Sequence, residues 1–565
     1  MNEKIKKTLL NVFYMVTTYL FLVNINYIFL KIIDVKNSFS IIQTISFSLP
    51  IIYLLIKNKN DSIQKNIAII AIYTIVLIGF PFLATKRYDI SQDGNVYHKP
   101  AIGFIKEGWN PLYETVEEFQ DKIDSPIKIN KKINTKYWIN HYPKANWVIA
   151  ANFYQMTGNI ESGKAFLTIF MFLTFIICYI NLNKFLNIPE SLILSVLAVL
   201  NPITLSQINT HYVDGIMGMC FLIEILLLID LENKNFKDRE LWISICSIIC
   251  IFVNIKFTGL LCSGVIAAVY YFYWCWRYRK DLNFIKKLTI KFSVIFFIAI
   301  FIIGSTSYVK NTITNKNPLY PLFGKGKIDI VTTMQPKSFT KKNKIEKVIS
   351  TIFAKTENVT YGSGNVHQKS IFKVTEDEID TLMLPDTRIG AFGPLFTIIM
   401  IISILLLSIE FFRYKKDKKY IILPIITLAI SMILIGEVWW HRYIPQLYYL
   451  PISALAICLY NGKQNKNNAL KLITLINLIV IVININYFIT ANSKLNEMSI
   501  KINEDLKQLQ THYSTLKLTN PDTVGYLYNL KDNNIKYVLK ENINGKFVYV
   551  YSWRIMMEVE QWKIT

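Results

Sequence analysis

IAIIAIYTIVLIGFPFLATKRYDISQDGNVYHKP, Ile67 to Pro100, brings together the two features that decide how this chain is read. Its first part, 67–85, is an apolar run long enough to cross a bilayer, which takes about 20 residues of helix. Its second part turns abruptly polar, with Arg87, Asp89, Asp93, Tyr97 and His98 just where the chain leaves the lipid. A carboxylate at such a boundary costs free energy unless it is solvated or paired, so it marks a place where chemistry, transport or solubility is at stake.

Outward from this stretch, the apolar half repeats. Hydrophobic residues make up 52% of the 565, and the mean hydropathy is +0.32, too apolar for a soluble globular protein. Runs at 8–32, 38–57, 67–85, 162–182, 190–208, 212–230, 241–256, 258–276, 287–307, 389–412, 420–438, 443–461 and 470–490 predict about thirteen spans. The expected fold is an α-helical polytopic membrane protein. Asn254 and Lys256 interrupt the pattern around 241–276. The run after MNEKIKK lacks a small-residue cleavage site and is expected to remain as the first span.

The 62 Lys and Arg outnumber the 39 Asp and Glu, giving a formal charge of +23. No basic-aromatic module or zinc-ligand spacing accompanies that excess, so it reads as topology and lipid-headgroup contact rather than nucleic-acid binding. With a cytoplasmic N-terminus, five basic loops fall inside: 57–66, 232–240, 277–287, 413–419 and 461–471. The short connections near 33–37, 209–212 and 438–442 then lie outside with few Lys or Arg. Three long segments, 86–161, 308–388 and 491–565, are expected on the outer face of a bacterial cell membrane. All six histidines (His98, His141, His211, His367, His441, His512) fall on that side or at its boundary. The seven cysteines all lie in apolar runs, which indicates neither a disulfide framework nor a thiolate metal site.

PAIGFIKEGWNPLY (100–113) and NWVIAANFYQM (146–156) suggest amphipathic helices lying at the interface within the first outer loop. Residues 1–490 form the membrane module in this reading, and 491–565 a small extracytoplasmic α+β domain. That tail reads as a polar helix near 492–517, then strand-like GYLYNL (525–530), IKYVLK (535–540) and KFVYVYS (546–552). NING, 542–545, is a hairpin-type turn signal.

Three constellations carry chemistry. In the first, Asp93 sits with Tyr97 and His98 downstream and Asp89 four residues earlier. A carboxylate at the water boundary can serve as a general base or orient an acceptor hydroxyl; it can also simply solvate a loop and cap a helix. The second is cationic: Lys256, Lys310, Arg388, His441 and Arg442. A lipid-phosphate donor needs positive charge where its headgroup meets water, and Arg binds phosphate bidentately. Arg442 opens a span beside Trp439, Trp440 and Tyr443, a position that equally suits a snorkelling Arg in an aromatic belt. Lys256 lies in apolar sequence and is expected to face a cavity or partner. In the third, His211 and Asp214 stand three apart at a helix start, where they can share a face as a second acidic site. Two ligands are too few for a metal, and nothing in the sequence requires one.

The spacing D-x-x-x-Y-H-x-P, Asp93 to Pro100, resembles the first outer loop of GT-C type membrane glycosyltransferases. That superfamily includes protein O-mannosyltransferases and the aminoarabinose transferases acting on lipid A. GWNPLY (108–113), YVKNTITNKNPLYPLF (308–323) and HRYIPQLYYLP (441–451) match further family patches in order. The resemblance implies a polyprenyl-phosphate or polyprenyl-pyrophosphate sugar donor, a glycan, lipid or protein acceptor, and a catalytic Asp in the first large outer loop. On it, Asp93 is the expected base with Asp89 and Asp214 as further acidic residues. Arg442, Lys256, Lys310 and Arg388 are expected to hold the donor phosphate, while Tyr97, His98, His211, His441 and Tyr443 contact sugar or acceptor. Two extra spans precede the loop bearing Asp93, Lys310 stands where relatives often have Arg, and Lys316 where they often have Gly. Two other functions stay open: an outer-face glycan polymerase or ligase, and a transporter or flippase of lipid-linked glycan. The first expects paired outer arginines, the second an internal repeat and charge near mid-membrane.

Overall fold

The computed structural model describes residues 3–35, 38–123, 127, 129, 135–324, 326–328, 334–359, 364–413, 418–462, 467–512, 515–519, 523–540, 547–550 and 555–558. Among these, eight helices are long and apolar enough to cross a membrane: Glu3–Ile32, Phe39–Lys57, Ile63–Ala84, Ile160–Leu182, Phe257–Arg277, Leu282–Thr306, Phe396–Arg413 and Asn468–His512. Six of them carry rows of exposed aliphatic and aromatic side chains, such as Ile52, Ile75, Phe272, Phe301 and Ile479, while Glu3–Ile32 and Ile160–Leu182 are largely covered by their neighbours. Backbone hydrogen bonds close within each helix, which is what an environment without water demands.

The other five apolar runs form shorter or more polar helices, for local reasons. The run at 190–208 breaks at Asn201, whose side chain accepts from Ile203 N while Pro202 starts a second short helix, Pro202–Gln207. Helix Asp214–Asn233 has the length of a span but carries Asp214, Glu224, Asp230 and Glu232, all buried against neighbouring helices. Helices Arg239–Val253 (15 residues), Lys419–Leu434 (16) and Tyr449–Gly462 (14) are short of a full crossing. At the first of these ends, Asn254 Nδ2 donates to Cys250 O and Ala299 O, and the chain restarts at Phe257.

The 86–161 segment departs from expectation. Helices Lys99–Glu107 and Ala145–Thr157 form where the half-apolar pieces predicted them, but neither leaves a polar face open. Lys99–Ile105 and Ala145–Tyr154 are continuously buried, because the two helices pack on each other and under the C-terminal segment. The amphipathic reading failed because neighbouring protein covers the face that was expected to meet water.

Two corrections concern the tail. The polar helix near 492–517 is the outer part of one 45-residue helix, Asn468–His512. No Gly or Pro interrupts that stretch, and Ala491, Leu495, Ser499, Ile502, Leu506 and Leu509 continue a buried stripe at helical spacing. GYLYNL is a helix, Gly525–Asp532, not a strand; Gly525–Leu530 are buried on every side, and alternation of Tyr and Leu does not discriminate when both faces are covered. IKYVLK and KFVYVYS do supply strands. β1 (Leu516–Thr519), β2 (Tyr537–Lys540), β3 (Phe547–Val550) and β4 (Ile555–Glu558) form a sheet in the order β2-β1-β4-β3. β1 and β2 run parallel with Leu516 opposite Tyr537, the other pairs antiparallel. The NING turn lies outside the described residues.

Candidate functional site

Between helices Lys419–Leu434 and Tyr449–Gly462 the chain makes a short turn, His441–Tyr443, that delivers Arg442 into the protein with only 7% of its surface exposed. One guanidinium nitrogen, Nη1, lies 3.2 Å from Asp93 Oδ2, 3.1 Å from Asp386 Oδ1 and 3.9 Å from Asp214 Oδ2. Its plane sits over Trp440 at 4.6 Å, Tyr212 at 5.0 Å and Tyr443 at 5.1 Å. Lys256 donates to Asp214 Oδ1 at 2.7 Å and lies 4.3 Å over the Tyr443 ring. Arg388 is 3.5 Å from Asp386 and 5.2 Å from Trp440. Three carboxylates therefore meet three cations, the balance that lets so many charges share a poorly hydrated place.

The members differ in access. Asp214 keeps 5% of its side chain exposed, whereas Asp93 and Asp386 each keep 28%, so these two can meet a substrate. Burial, reinforced by Asp93 and Asp214, holds the Asp386 carboxyl above the usual range despite Arg442 and Arg388. The Nε of Arg442 is buried without a partner, and Asp386 Oδ1 accepts no aligned hydrogen bond although Arg442 is close. The cluster thus retains unused polar capacity.

Asp93 is presented by an unusual backbone. Residues Gly94–His98 form a π-helical turn that runs directly into helix Lys99–Glu107. Such turns place side chains that a regular helix would point elsewhere. Tyr97 OH lies 3.4 Å from Asp93 Oδ2, and its ring meets Tyr142 at 6.2 Å. Gly94 is needed: a Cβ there would come within 2.0 Å of Asp89 Oδ2.

Asp89 forms a layer beneath. It is fully buried, and its carboxylate accepts from His211 N and Nδ1, both at 2.8 Å, and from Ser91 N at 2.8 Å. Burial opposes its ionisation, yet the contacts with His211 and the charge of Lys99 hold the carboxyl below the usual range. His98 accepts from Trp147 Nε1 at 2.8 Å, and burial lowers its pKa to about 3. It is neutral at any physiological pH.

The expected residues thus fall into three groups. Asp93, Asp214, Arg442, Lys256, Arg388, Tyr97 and Tyr443 come together. Asp89, His98 and His211 lie in the layer below. His211 and Asp214 do not share a helical face, because the helix starts at Asp214 and His211 precedes it in a turn. His441 and Lys310 point away from the cluster. His441 packs against Phe392 at 4.8 Å with both ring nitrogens unpartnered, and burial lowers its pKa to about 3. Lys310 donates to Pro111 O at 2.7 Å and Glu114 O at 2.9 Å, clasping the GWNPLY turn. Its neighbour Asn311 does the same for His141, exchanging contacts of 2.7 Å and 3.1 Å. Lys310 thus joins one motif patch to the other, and its ammonium is engaged in that joint.

Asp386, Tyr142, Tyr212, Lys99, Glu161 and Asn529 were not expected. Asp386 carried a usable signal: like Asp93, it is a carboxylate next to an apolar span, two residues from Arg388. Among the described residues, no three His, Cys, Asp or Glu side chains are grouped so as to hold a metal ion.

An apolar cavity of about 470 Å³ opens between the helices, lined by Phe221, Ile225, Leu428, Gln446, Tyr449 and Leu450 among others. That size lies in the range of small-molecule sites, roughly 300–1,000 Å³. The segment from His441 to Tyr449 borders both features, with Arg442 in the polar cluster and Gln446 and Tyr449 in the cavity wall. No model of a known protein family matches the chain, and no curated protein is similar to it in sequence.

Proposed function

We propose that this chain is an inverting glycosyltransferase that moves a sugar from a polyprenyl-phosphate or polyprenyl-pyrophosphate donor to a cell-envelope acceptor at the outer face of the membrane. The observation that carries the reading is the meeting of half-exposed Asp93 with buried Arg442, beside an apolar cavity bordered by the same chain segment. The thirteen-span topology, the cytoplasmic N-terminus and the bacterial cell membrane belong to the same proposal.

In this mechanism the donor's lipid tail occupies the cavity and its phosphate contacts the unpartnered edge of Arg442, with Lys256 close by. Asp93 accepts the proton of the acceptor hydroxyl while the hydroxyl oxygen attacks the anomeric carbon. The bond from that carbon to the phosphate oxygen breaks with inversion, and the charge left on the lipid phosphate falls on Arg442. Stabilising charge where it develops is the largest single source of rate in such reactions. Tyr97 and Tyr443, which are only partly covered, supply the aromatic and hydroxyl surface against which a sugar ring stacks.

A second reading rests on Glu224. It is wholly buried within helix Asp214–Asn233 and faces Ser263, with no cationic partner among the described residues. An acid without a counter-charge among apolar helices favours a transporter of lipid-linked glycan that moves with a proton or cation. The deciding experiment incubates the purified protein in nanodiscs with polyprenyl-phosphate sugars and a cell-envelope acceptor fraction, and follows release of the polyprenyl phosphate by mass spectrometry. Release that Asp93→Asn abolishes and Glu224→Gln spares supports the transferase; no release, with intact lipid-linked sugar moved across sealed proteoliposomes and that movement lost in Glu224→Gln, supports the transporter.

A further inference from the structure

We infer that the C-terminal helix Gly525–Asp532 is a working part of the candidate site and that Asn529 is a positioning residue for the segment bearing Asp89 and Asp93. The inference rests on the transferase reading only for the name of the activity; the geometry stands apart from it.

The side chain of Asn529 enters a charge network from which solvent is excluded. Asp89, Lys99 and Glu161 are each 0% exposed and Asn529 is 1% exposed. Asn529 Nδ2 donates to Glu161 Oε1 at 2.8 Å, while its Oδ1 accepts from Lys99 Nζ at 2.9 Å. The two ions also pair directly at 2.6 Å. Each then grips the backbone that leads to Asp93. Glu161 Oε2 accepts from Asp89 N at 3.0 Å, and Lys99 Nζ donates to Asp89 O at 3.2 Å and Asn95 Oδ1 at 3.0 Å. A primary amide donates and accepts at once, so it satisfies an acid and a base together without adding charge. A carboxylate at this position would repel Glu161, and an aliphatic side chain would strand one donor and one acceptor in the interior.

Two close approaches seat the helix independently of that network. A Cβ on Gly525 would meet Asn95 O at 2.5 Å, so only glycine lets the helix lie against the π-helical turn. A Cβ on Gly103 would meet the Tyr528 ring at 2.0 Å. At the far end, Asp532 accepts from Ile160 N at 2.7 Å and Tyr154 OH at 2.5 Å. This helix therefore packs over the 89–161 segment, with contacts that join residues between 368 and 430 positions apart in sequence.

Amide exchange on the full-length protein in nanodiscs tests this directly. In Asn529→Leu, protection of the 91–99 amides should fall at least tenfold, while peptides from helix Glu3–Ile32 keep theirs. Lys531→Ala, on the exposed side of the same helix, should leave 91–99 unchanged. Unchanged protection in Asn529→Leu overturns the inference, whatever happens to activity. Should that variant fail to fold, Gly525→Ala is read in the same way, with the same loss expected and the same null result decisive. In parallel, release of polyprenyl phosphate should fall at least tenfold in Asn529→Leu and recover in part in Asn529→Gln, which keeps the amide. If Asp93→Asn retains full turnover, the transferase reading falls while the exchange result still decides the role of Asn529.

Discussion

Two charged clusters share the loop 89–99 and treat their carboxylates in opposite ways. Around Glu161 and Lys99, each charge is buried, paired and saturated with hydrogen bonds. Around Arg442, Asp93 and Asp386 remain 28% exposed, Arg442 Nε has no partner, and one Asp386 oxygen lacks an aligned donor. Both clusters pair carboxylates with cations. The first arrangement spends its polar groups on holding the backbone, and the second leaves some free for a ligand. Charge alone does not mark a reactive site; unsatisfied, reachable charge held by a satisfied layer does.

The contrast can be broken from either side. The largest effect belongs to Asp93→Asn, which should lower turnover by about 10²–10⁴-fold, the range of a lost general base, with little change in the unfolding midpoint. Equal loss of stability and activity would erase the distinction between the clusters. Glu161→Leu should do the reverse. It strands Lys99 and Lys164 without a carboxylate, and breaking a buried pair costs about 3–5 kcal/mol, seen as a lowered thermal midpoint in detergent. Arg442→Lys keeps the charge but loses the planar fork that serves several oxygens together. Turnover should fall about 10–100-fold, matching one or two charged hydrogen bonds, with the midpoint shifted modestly.

Asp386 sharpens the comparison through pH. Its carboxyl lies above the usual range because of burial, so on acidification it takes up a proton before an ordinary carboxylate and releases Arg442. The acid limb of kcat/KM should therefore move to lower pH in Asp386→Asn, by a few-fold at the midpoint of the limb. The smallest effect is expected from Asp532, which burial raises to about 6. An unfolded aspartate titrates near about 3.9, so the folded state binds this proton more tightly. Stability from this group grows as pH falls from about 6 to about 4 and is absent above that window; Asp532→Asn should flatten that part of the profile.

Much of the frame is legible along the chain. Eight of the apolar runs become helices of spanning length, and the residues flanking the span at 63–84 do lead into the charged cluster. Asp93, Arg442, Lys256 and Arg388 could be picked out because a charge beside an apolar run stands out locally. What was missed depends on partners distant in sequence. The role of Asn529 exists only because Lys99 lies 430 residues away, and no local pattern records that. His441 and Lys310 misled for the same reason: their residue types fit a ligand, but Phe392 and the Pro111 carbonyl claim them first. GYLYNL shows the limit of periodicity, since alternation identifies a strand only when one face is wet.

The long helix Asn468–His512 carries a last consequence. Its 45 residues span about 68 Å, more than twice the hydrocarbon thickness of about 30 Å. It is one stiff element tied to the residues that follow helix Ile63–Ala84: Arg87 Nε donates to Asn496 Oδ1 at 2.7 Å and Tyr88 N to Ser499 Oγ at 3.2 Å. Any displacement along this single helix is therefore passed directly to the two residues that precede Asp89.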